Sequence, residues 1–361
     1  MKQPTILHFT GNSIDEGGVF TYIRNVAPHN GCRNVLVVAK DFKQVRRPYL
    51  PLLRIPSFES ESLYHPNTIV WCHRLAIGFY RLLEKHPDAI FHGHSRSGML
   101  IALLLNFWGQ RRVVVSVHAN ARQRWFYRWA KSLLEDRMFF LCPSMKSHYG
   151  IRDRNWKSCM PGSVSQLVSA SRLQRQDDSL LLLGGLGAIT PWKRWHLILE
   201  ALKQLPVGLR SKLRFIHHGK ALDDDASKAY EEKLKTLTCE YGLEQFVEWR
   251  GFTKDTESFF SEVNALVSPS ESEPFSLSIL EALFADVPVI SADTGGATDI
   301  VVGNENGILF RDNDSGALTE VLERVLLNEQ KLPLVNHESL KAFCSDIQGK
   351  RWKLVYYSMC R

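Results

Sequence analysis

Short, nearly continuous apolar runs recur along this chain, with polar and helical stretches between them. In the first half they fall at residues 5–9 (Thr-Ile-Leu-His-Phe), 34–38, 89–91, 113–117 and 138–141. Runs of this length without strict alternation predict parallel strands buried on both faces. A helical pattern such as that of residues 98–107 lies between successive runs. Residues 161–178 then turn to Pro, Gly, Ser, Gln, Arg and Asp, which marks a linker. A second series follows at 180–183, 213–216, 246–249, 265–267 and 289–290. From about Lys341 the chain reads as a helix rich in Trp and Tyr. The pattern predicts an α/β protein of two doubly wound domains facing across a cleft, 1–165 and 166–340. Residues 40–75 read as loop and carry no decodable motif.

Composition narrows the class. The chain has 361 residues, 44% of them apolar, enough for two domains with their own cores. No apolar run reaches the length of a membrane span, and Met1-Lys2-Gln3-Pro4 does not read as a signal peptide. Seven cysteines without a Cys-x-x-Cys pair argue against a disulfide framework or a zinc site, so a cytoplasmic setting is expected. The net charge of +7 hides an asymmetry. Residues 1–165 carry 23 Lys or Arg against 10 Asp or Glu, and the remainder carries 22 against 28. A basic first half can attract anionic lipid, nucleic acid or an acidic substrate.

The most informative chemistry lies in residues 268–296. The apolar run 265–267 enters a turn, Ser268-Pro269-Ser270, and Glu273 lies just beyond it. Ser276 is a good N-cap for a helix whose apolar positions are Ile279, Leu280, Leu283 and Phe284. Pro274-Phe275-Ser276-Leu277-Ser278 brings backbone N–H groups to one point, and the free ones of the first turn, at Leu277 and Ser278, would attract phosphate. Glu281, eight positions after Glu273, stands along the helix where a carboxylate can accept from ribose hydroxyls. Gly295-Gly296 follows the next strand, where glycine permits close backbone approach. A strand and an ordinary capped helix with two surface glutamates is the plain alternative.

Glu273, Pro-Phe after it, Glu281-Ala282 and Gly295-Gly296 resemble the donor-site signature of retaining glycosyltransferases of family 4, the group 1 glycosyl transferases. The resemblance implies a GT-B fold of two Rossmann-like domains, with the acceptor on the first and the nucleotide-sugar donor on the second. It places Glu273 near the transferred sugar, Glu281 on the ribose, and the amides of residues 275–278 on sugar and diphosphate. It implies no metal and no cofactor beyond the donor, because in such enzymes the leaving phosphate takes the acceptor proton on the same face. The C-terminal helix, 341–361, is expected to pack back on the first domain. Two departures are mild: Ser276 stands at the family's glycine and Asp299 at its usual glutamate.

Other segments fit the same picture. Gly17-Gly18 follows the first predicted strand and opens a helix, the position of the family's glycine-rich loop, although a plain tight turn has the same look. His118 ends the run 113–117, where the family places a histidine beside the donor sugar; a structural histidine remains the alternative. His92 and His94 alternate after another strand like metal ligands, but the sequence shows no third, and structural or acceptor-side roles are favoured. Gly184 to Arg194 opens the second domain. Lys193 matches the family lysine that neutralises diphosphate, whereas the family arginine falls on Ala188. A lost charge-assisted contact costs about 1.5–3 kcal/mol. Arg194 would point elsewhere. Loops 217–220 and 249–253 would border the base. Arg122 to Lys131 and Arg46 to Arg54 mix cations with aromatics, which suits an anionic membrane surface or a half-buried helix with a basic face.

The expectation is a retaining glycosyltransferase of hexosyl type in polysaccharide or glycolipid synthesis, peripheral on the inner face of the membrane. Its acceptor would be a glycan or lipid-linked sugar, and no nucleic acid is expected. Glu273, His118 and Lys193 would be catalytic. A non-catalytic glycosyltransferase-like subunit, a nucleotide-sugar epimerase and a nucleic-acid-binding protein are the rivals.

Overall fold

Among the described residues, twelve strands form two separate six-stranded sheets, parallel throughout. The structure is a computed structural model that describes residues 2–11, 17–44, 49–56, 66–152, 156–164, 180–303 and 305–360. The chain divides into two units. One is Met1–Ser165 together with Ala342–Arg361, the other Gln166–Lys341.

The first unit holds β1 (Thr5–Phe9), β2 (Arg33–Ala39), β3 (Leu52–Ile55), β4 (Ala89–Gly93), β5 (Val113–Val117) and β6 (Met138–Phe140), in the order β3-β2-β1-β4-β5-β6. β4 and β5 are buried at every position, which explains their uninterrupted apolar sequences. The topological switch lies between β1 and β4, paired from Thr5 with Ala89 to Phe9 with Gly93. Ser95 then caps the helix Arg96–Phe107 by accepting from the Gly98 amide at 3.1 Å. The last helix, Ser345–Met359, belongs to this unit. Its Trp352 is fully buried and donates from Nε1 to the Tyr22 hydroxyl at 2.6 Å. Losing such a ring costs about 3–5 kcal/mol, so this helix is part of the unit's core.

The second unit repeats the winding. It holds β7 (Leu181–Leu186), β8 (Leu213–His218), β9 (Val247–Trp249), β10 (Ala265–Ser268), β11 (Val289–Ala292) and β12 (Gly307–Phe310), in the order β12-β11-β10-β7-β8-β9. Its switch lies between β7 and β10. Trp195, Leu199, Phe215, Ile290 and Leu318 sit in one core cluster. In such sheets a ligand meets the carboxyl ends of the two strands that flank the switch.

The two α/β sheets agree with the expected fold class. Two strands depart from the sequence reading. β3 lies in the region read as loop, and β12 was not anticipated. Both are edge strands; β3 is only half-buried and needs no strongly apolar run, and β12 is a short strand of four residues. Most of the expected linker, from residue 165 onward, lies outside the described residues, as do residues 46–48 of the second cationic segment.

Candidate functional site

In the second unit, the loops after β7 and β10 meet at the switch. The amide of Glu271 donates to the Trp192 carbonyl at 2.8 Å, tying one loop to the other. A single 3-10 turn, Pro191–Lys193, then swings Lys193 inward. Its ammonium pairs with Glu273 Oε1 at 2.9 Å and also lies 4.5 Å from the centre of the Trp192 ring. The pair is largely withdrawn from water, at 8% and 13% side-chain exposure. Removing one partner of such a pair leaves a costly buried charge.

Several polar atoms on the same two loops have no partner among the described residues. Glu273 Oε2, Thr190 Oγ1 and Ser270 Oγ are buried without a hydrogen bond. Native interiors leave few such atoms unpaired. A carboxylate oxygen and two hydroxyls on the loops that carry this lysine suit a ligand with both hydroxyls and negative charge. His217, at the end of β8, adds two ring nitrogens buried without a well-formed hydrogen bond. Burial first, then His218 and Lys193, lowers its pKa to about 3, against a weaker interaction with the Gly187 backbone.

The rest of the motif is placed around Glu273. Ser276 is the N-cap of the helix Leu277–Phe284, its hydroxyl accepting from the Ile279 amide at 3.4 Å. Leu277 and Ser278 stand in the first turn, where helical amides lack intrahelical partners. Phe275 and Ser276 are buried, and Glu281 is half-buried one turn further on. The Gly296 amide donates to the Glu273 carbonyl at 2.7 Å. A Cβ on Gly295 would lie 2.5 Å from that carbonyl oxygen, and Gly295 has a φ of +57°. Two glycines are therefore what lets the β11 turn press against the Glu273 turn.

Arg194 does not join the Lys193–Glu273 pair. It reaches Asp312 at 2.7 Å and Glu271 at 3.2 Å, from a backbone with φ of +53°. Ala188 supplies only its carbonyl, which accepts from Trp195 Nε1 at 3.0 Å. Sequence reasoning missed Thr190, Ser270, Glu271 and Asp312, none of which stands out as a type. Only the loop pairing brings them together.

The first unit has its own constellation at the β1–β4 switch. A cavity of about 230 Å³ is lined by Gly11, His94, Ser95, Arg96, His118 and Tyr127 among others. His118 follows β5 and lies half-buried. Gly17 is the N-cap of the helix Gly18–Val26, with a φ of +95° that suits only glycine. Residues 12–16 before it lie outside the described residues. The absence of a third ligand for His92 and His94 is corrected here. His8 of β1 stands in register with His92 of β4, and ligand atoms of His8, His92 and His94 lie within 4.8 Å of one another. All six ring nitrogens nevertheless have partners within the protein: His8 with His94 and Asn34, His92 with Tyr356 and Ser116, His94 with His8 and His118. Burial lowers the pKa of His8 to about 4 and of His118 to about 3, and holds His92 and His94 well below the usual histidine range.

Among the described residues, no helix is long and apolar enough to cross a membrane. The helix Arg124–Leu134 buries Tyr127, Ala130 and Leu134 and exposes Trp125 (66%), Trp129 (49%) and Leu133 (40%).

Comparison with known proteins adds to this picture. The sequence model of the family Glycosyl transferases group 1 matches residues 172–338. The lipopolysaccharide core biosynthesis mannosyltransferase LpsB of Rhizobium meliloti is 22% identical over 303 residues, 79% of this chain and 84% of that protein. Its counterpart LpcC of Rhizobium leguminosarum bv. viciae is 29% identical over 259 residues, 69% of this chain and 71% of that one. The crystal structure of Anabaena HepE in complex with UDP superposes with a TM-score of 0.75 at 17% identity, covering 98% of this chain and 100% of that one. The same protein has been solved with UDP-glucose, with a TM-score of 0.74 over 98% of this chain and 99% of that one. The two parallel sheets are thus of the GT-B type, and the stretch that matches the group 1 glycosyl transferase family, residues 172–338, is the one that carries Lys193, Glu273 and Glu281.

Proposed function

We propose that this chain is a retaining glycosyltransferase. It moves a sugar from a nucleoside-diphosphate sugar held by the second unit to a glycan or lipid-linked acceptor held by the first. The observation that carries the reading is the Lys193–Glu273 pair at the β7–β10 switch, with Glu273 Oε2, Thr190 Oγ1 and Ser270 Oγ buried and unpartnered on the same two loops. The binding of UDP and UDP-glucose by a structural neighbour supports a nucleotide-sugar donor, and the names of LpsB and LpcC support a cell-surface glycan as product.

In this reading the bond from anomeric carbon to phosphate breaks as negative charge builds on the leaving diphosphate. Lys193 and the first-turn amides of Leu277 and Ser278 stabilise that charge, with Phe275, Ser276 and the Gly17-Gly18 turn as further donor-side groups. Glu281 holds the ribose. Glu273 orients the sugar from the protein side, and His118 accepts from a substrate hydroxyl. Metal and cofactor have no assigned role. The exposed Trp125, Trp129 and Leu133, with Arg124 and Arg128 on the same helix, suit peripheral contact with the anionic inner face of a membrane.

A second reading is a non-catalytic glycosyltransferase-like subunit. It is favoured by Ala188, which offers no charge, and by Arg194, which is committed to Asp312 and Glu271. Purified protein incubated with UDP-, GDP- and ADP-sugars separates the two. Release of nucleoside diphosphate, with retention at the anomeric centre of the product, supports the transferase. Binding without turnover of any donor supports the subunit.

A further inference from the structure

Asn34 gives direction to a hydrogen-bond chain that ends at the cavity of the first unit. Its Nδ2 donates to the carbonyls of Ala27 at 3.1 Å and Cys32 at 2.9 Å, and to Asn30 Oδ1 at 3.0 Å. With the amide nitrogen so committed, Oδ1 is the atom that meets His8, and a carbonyl oxygen can only accept. His8 Nε2 lies 3.0 Å from it and therefore carries the proton. In a neutral ring His8 Nδ1 is then an acceptor, and His94 Nε2, 3.0 Å away, must donate to it. His94 Nδ1 is left bare in turn, and His118 Nε2, again at 3.0 Å, must donate. The last atom, His118 Nδ1, keeps its lone pair and has no hydrogen bond among the described residues, on a ring that lines the cavity.

The chain works only with neutral rings, because an imidazolium has no lone pair to accept with. Burial supplies that condition, lowering His8 to about 4 and His118 to about 3 and keeping His94 well below the usual range. The hydrogen bonds also argue against a metal at His8, His92 and His94, because an ion would have to displace contacts that already satisfy every ring nitrogen.

We propose that Asn34, His8 and His94 are positioning residues that lock His118 in its Nε2–H tautomer, so that the cavity takes a hydroxyl-bearing ligand whose O–H donates to His118 Nδ1. At His118 Nδ1 a group offering only acceptors, such as a sulfate oxygen, meets a lone pair and makes no hydrogen bond. The identity of the ligand as a substrate sugar rests on the proposed function. The locked tautomer does not.

The test is a long-range 1H–15N correlation spectrum of the full chain labelled at histidine, recorded between pH 6 and 8. The expected result is His8, His94 and His118 each protonated on Nε2 alone, without titration. A proton on His118 Nδ1, protonation of both its nitrogens at neutral pH, or stoichiometric zinc binding at His8, His92 and His94 overturns the proposal. The variants separate a relay from plain packing. In His94→Gln the amide can accept from His118 and donate to His8 with the same polarity, so the tautomer is retained. His94→Leu fills space without relaying and gives a tautomer mixture. A locked His118 in His94→Leu overturns the relay; if that variant fails to fold, the wild-type and His94→Gln spectra decide. Methyl α-glucoside should shift the His118 Nδ1 signal and inorganic sulfate, which has no O–H to donate at this pH, should not. A shift with sulfate, or with neither, overturns the ligand class while leaving the tautomer result intact. A protein without transferase activity would still show the locked tautomer, so failure of the proposed function is read separately.

Discussion

The backbone of Glu273 is held from behind by Gly296, whose amide donates to the Glu273 carbonyl at 2.7 Å. A Cβ at Gly296 would lie 2.6 Å from the Pro274 carbonyl oxygen and 2.9 Å from the Phe275 Cα. Gly296→Ala therefore has to displace the turn that aims Glu273. The expected result is a loss of about 1–3 kcal/mol in thermal or denaturant unfolding, together with a fall in transferase rate. Unchanged rate in a variant of normal stability would show that Glu273 is not positioned this way.

Restoring charge at position 188 should strengthen donor binding. Ala188 engages its neighbour Trp195 through its carbonyl, which any residue retains. A charge-assisted hydrogen bond to the donor diphosphate is worth about 1.5–3 kcal/mol, so Ala188→Arg should tighten donor binding roughly tenfold or more. Calorimetric titration with the preferred nucleotide sugar reads this directly.

Acid should destabilise the first unit before ordinary carboxylate titration does. His8 has a folded pKa near 4 against 6.5 unperturbed, and His92 and His94 are also lowered by burial. Above 6.5 these rings are neutral in both folded and unfolded chains and cost nothing. As pH falls below 6.5 the unfolded chain takes up protons that the folded one refuses, so stability is lost. Each such ring contributes a slope of about 1.4 kcal/mol per pH unit in that window. Melting temperatures measured from pH 7.5 to 5 should fall steeply below 6.5, and less steeply in His8→Gln.

Trp125 and Trp129 should matter at a membrane and not in the core. Both are exposed, one turn apart on the helix Arg124–Leu134. The double variant Trp125→Ala/Trp129→Ala should keep its melting temperature and lose co-sedimentation with phosphatidylglycerol vesicles. Wild-type binding should weaken as salt rises, because anionic headgroups are screened. Equal sedimentation of variant and wild type would remove this surface from the account.

The central strands were legible because burial on both faces forces continuous apolar runs, as in Val113-Val114-Val115. The edge strands β3 and β12 were not: β3 is half-buried and admits Arg54, and β12 is only four residues long and opens on Gly307, where a Cβ would lie 2.5 Å from the Val289 carbonyl oxygen. Ser276 announced its helix through capping chemistry that is local in sequence. The Lys193–Glu273 contact spans 80 positions and depends on which strands flank the switch, so its two ends were readable and their meeting was not. His8 looked like an interior strand residue. Only the register of β1 against β4, which sets it beside His92, reveals its place in a polar chain.

The central claim is that the acidic helix and Lys193 of the second unit hold a nucleotide-sugar donor. Binding and turnover of a nucleotide-sugar panel by the wild type, Glu281→Ala and Glu273→Ala test it most directly. The account predicts that one donor stabilises the wild type, that Glu281→Ala loses that binding, and that Glu273→Ala still binds but turns over at least about a hundredfold more slowly. Wild-type binding and turnover in both variants would contradict it.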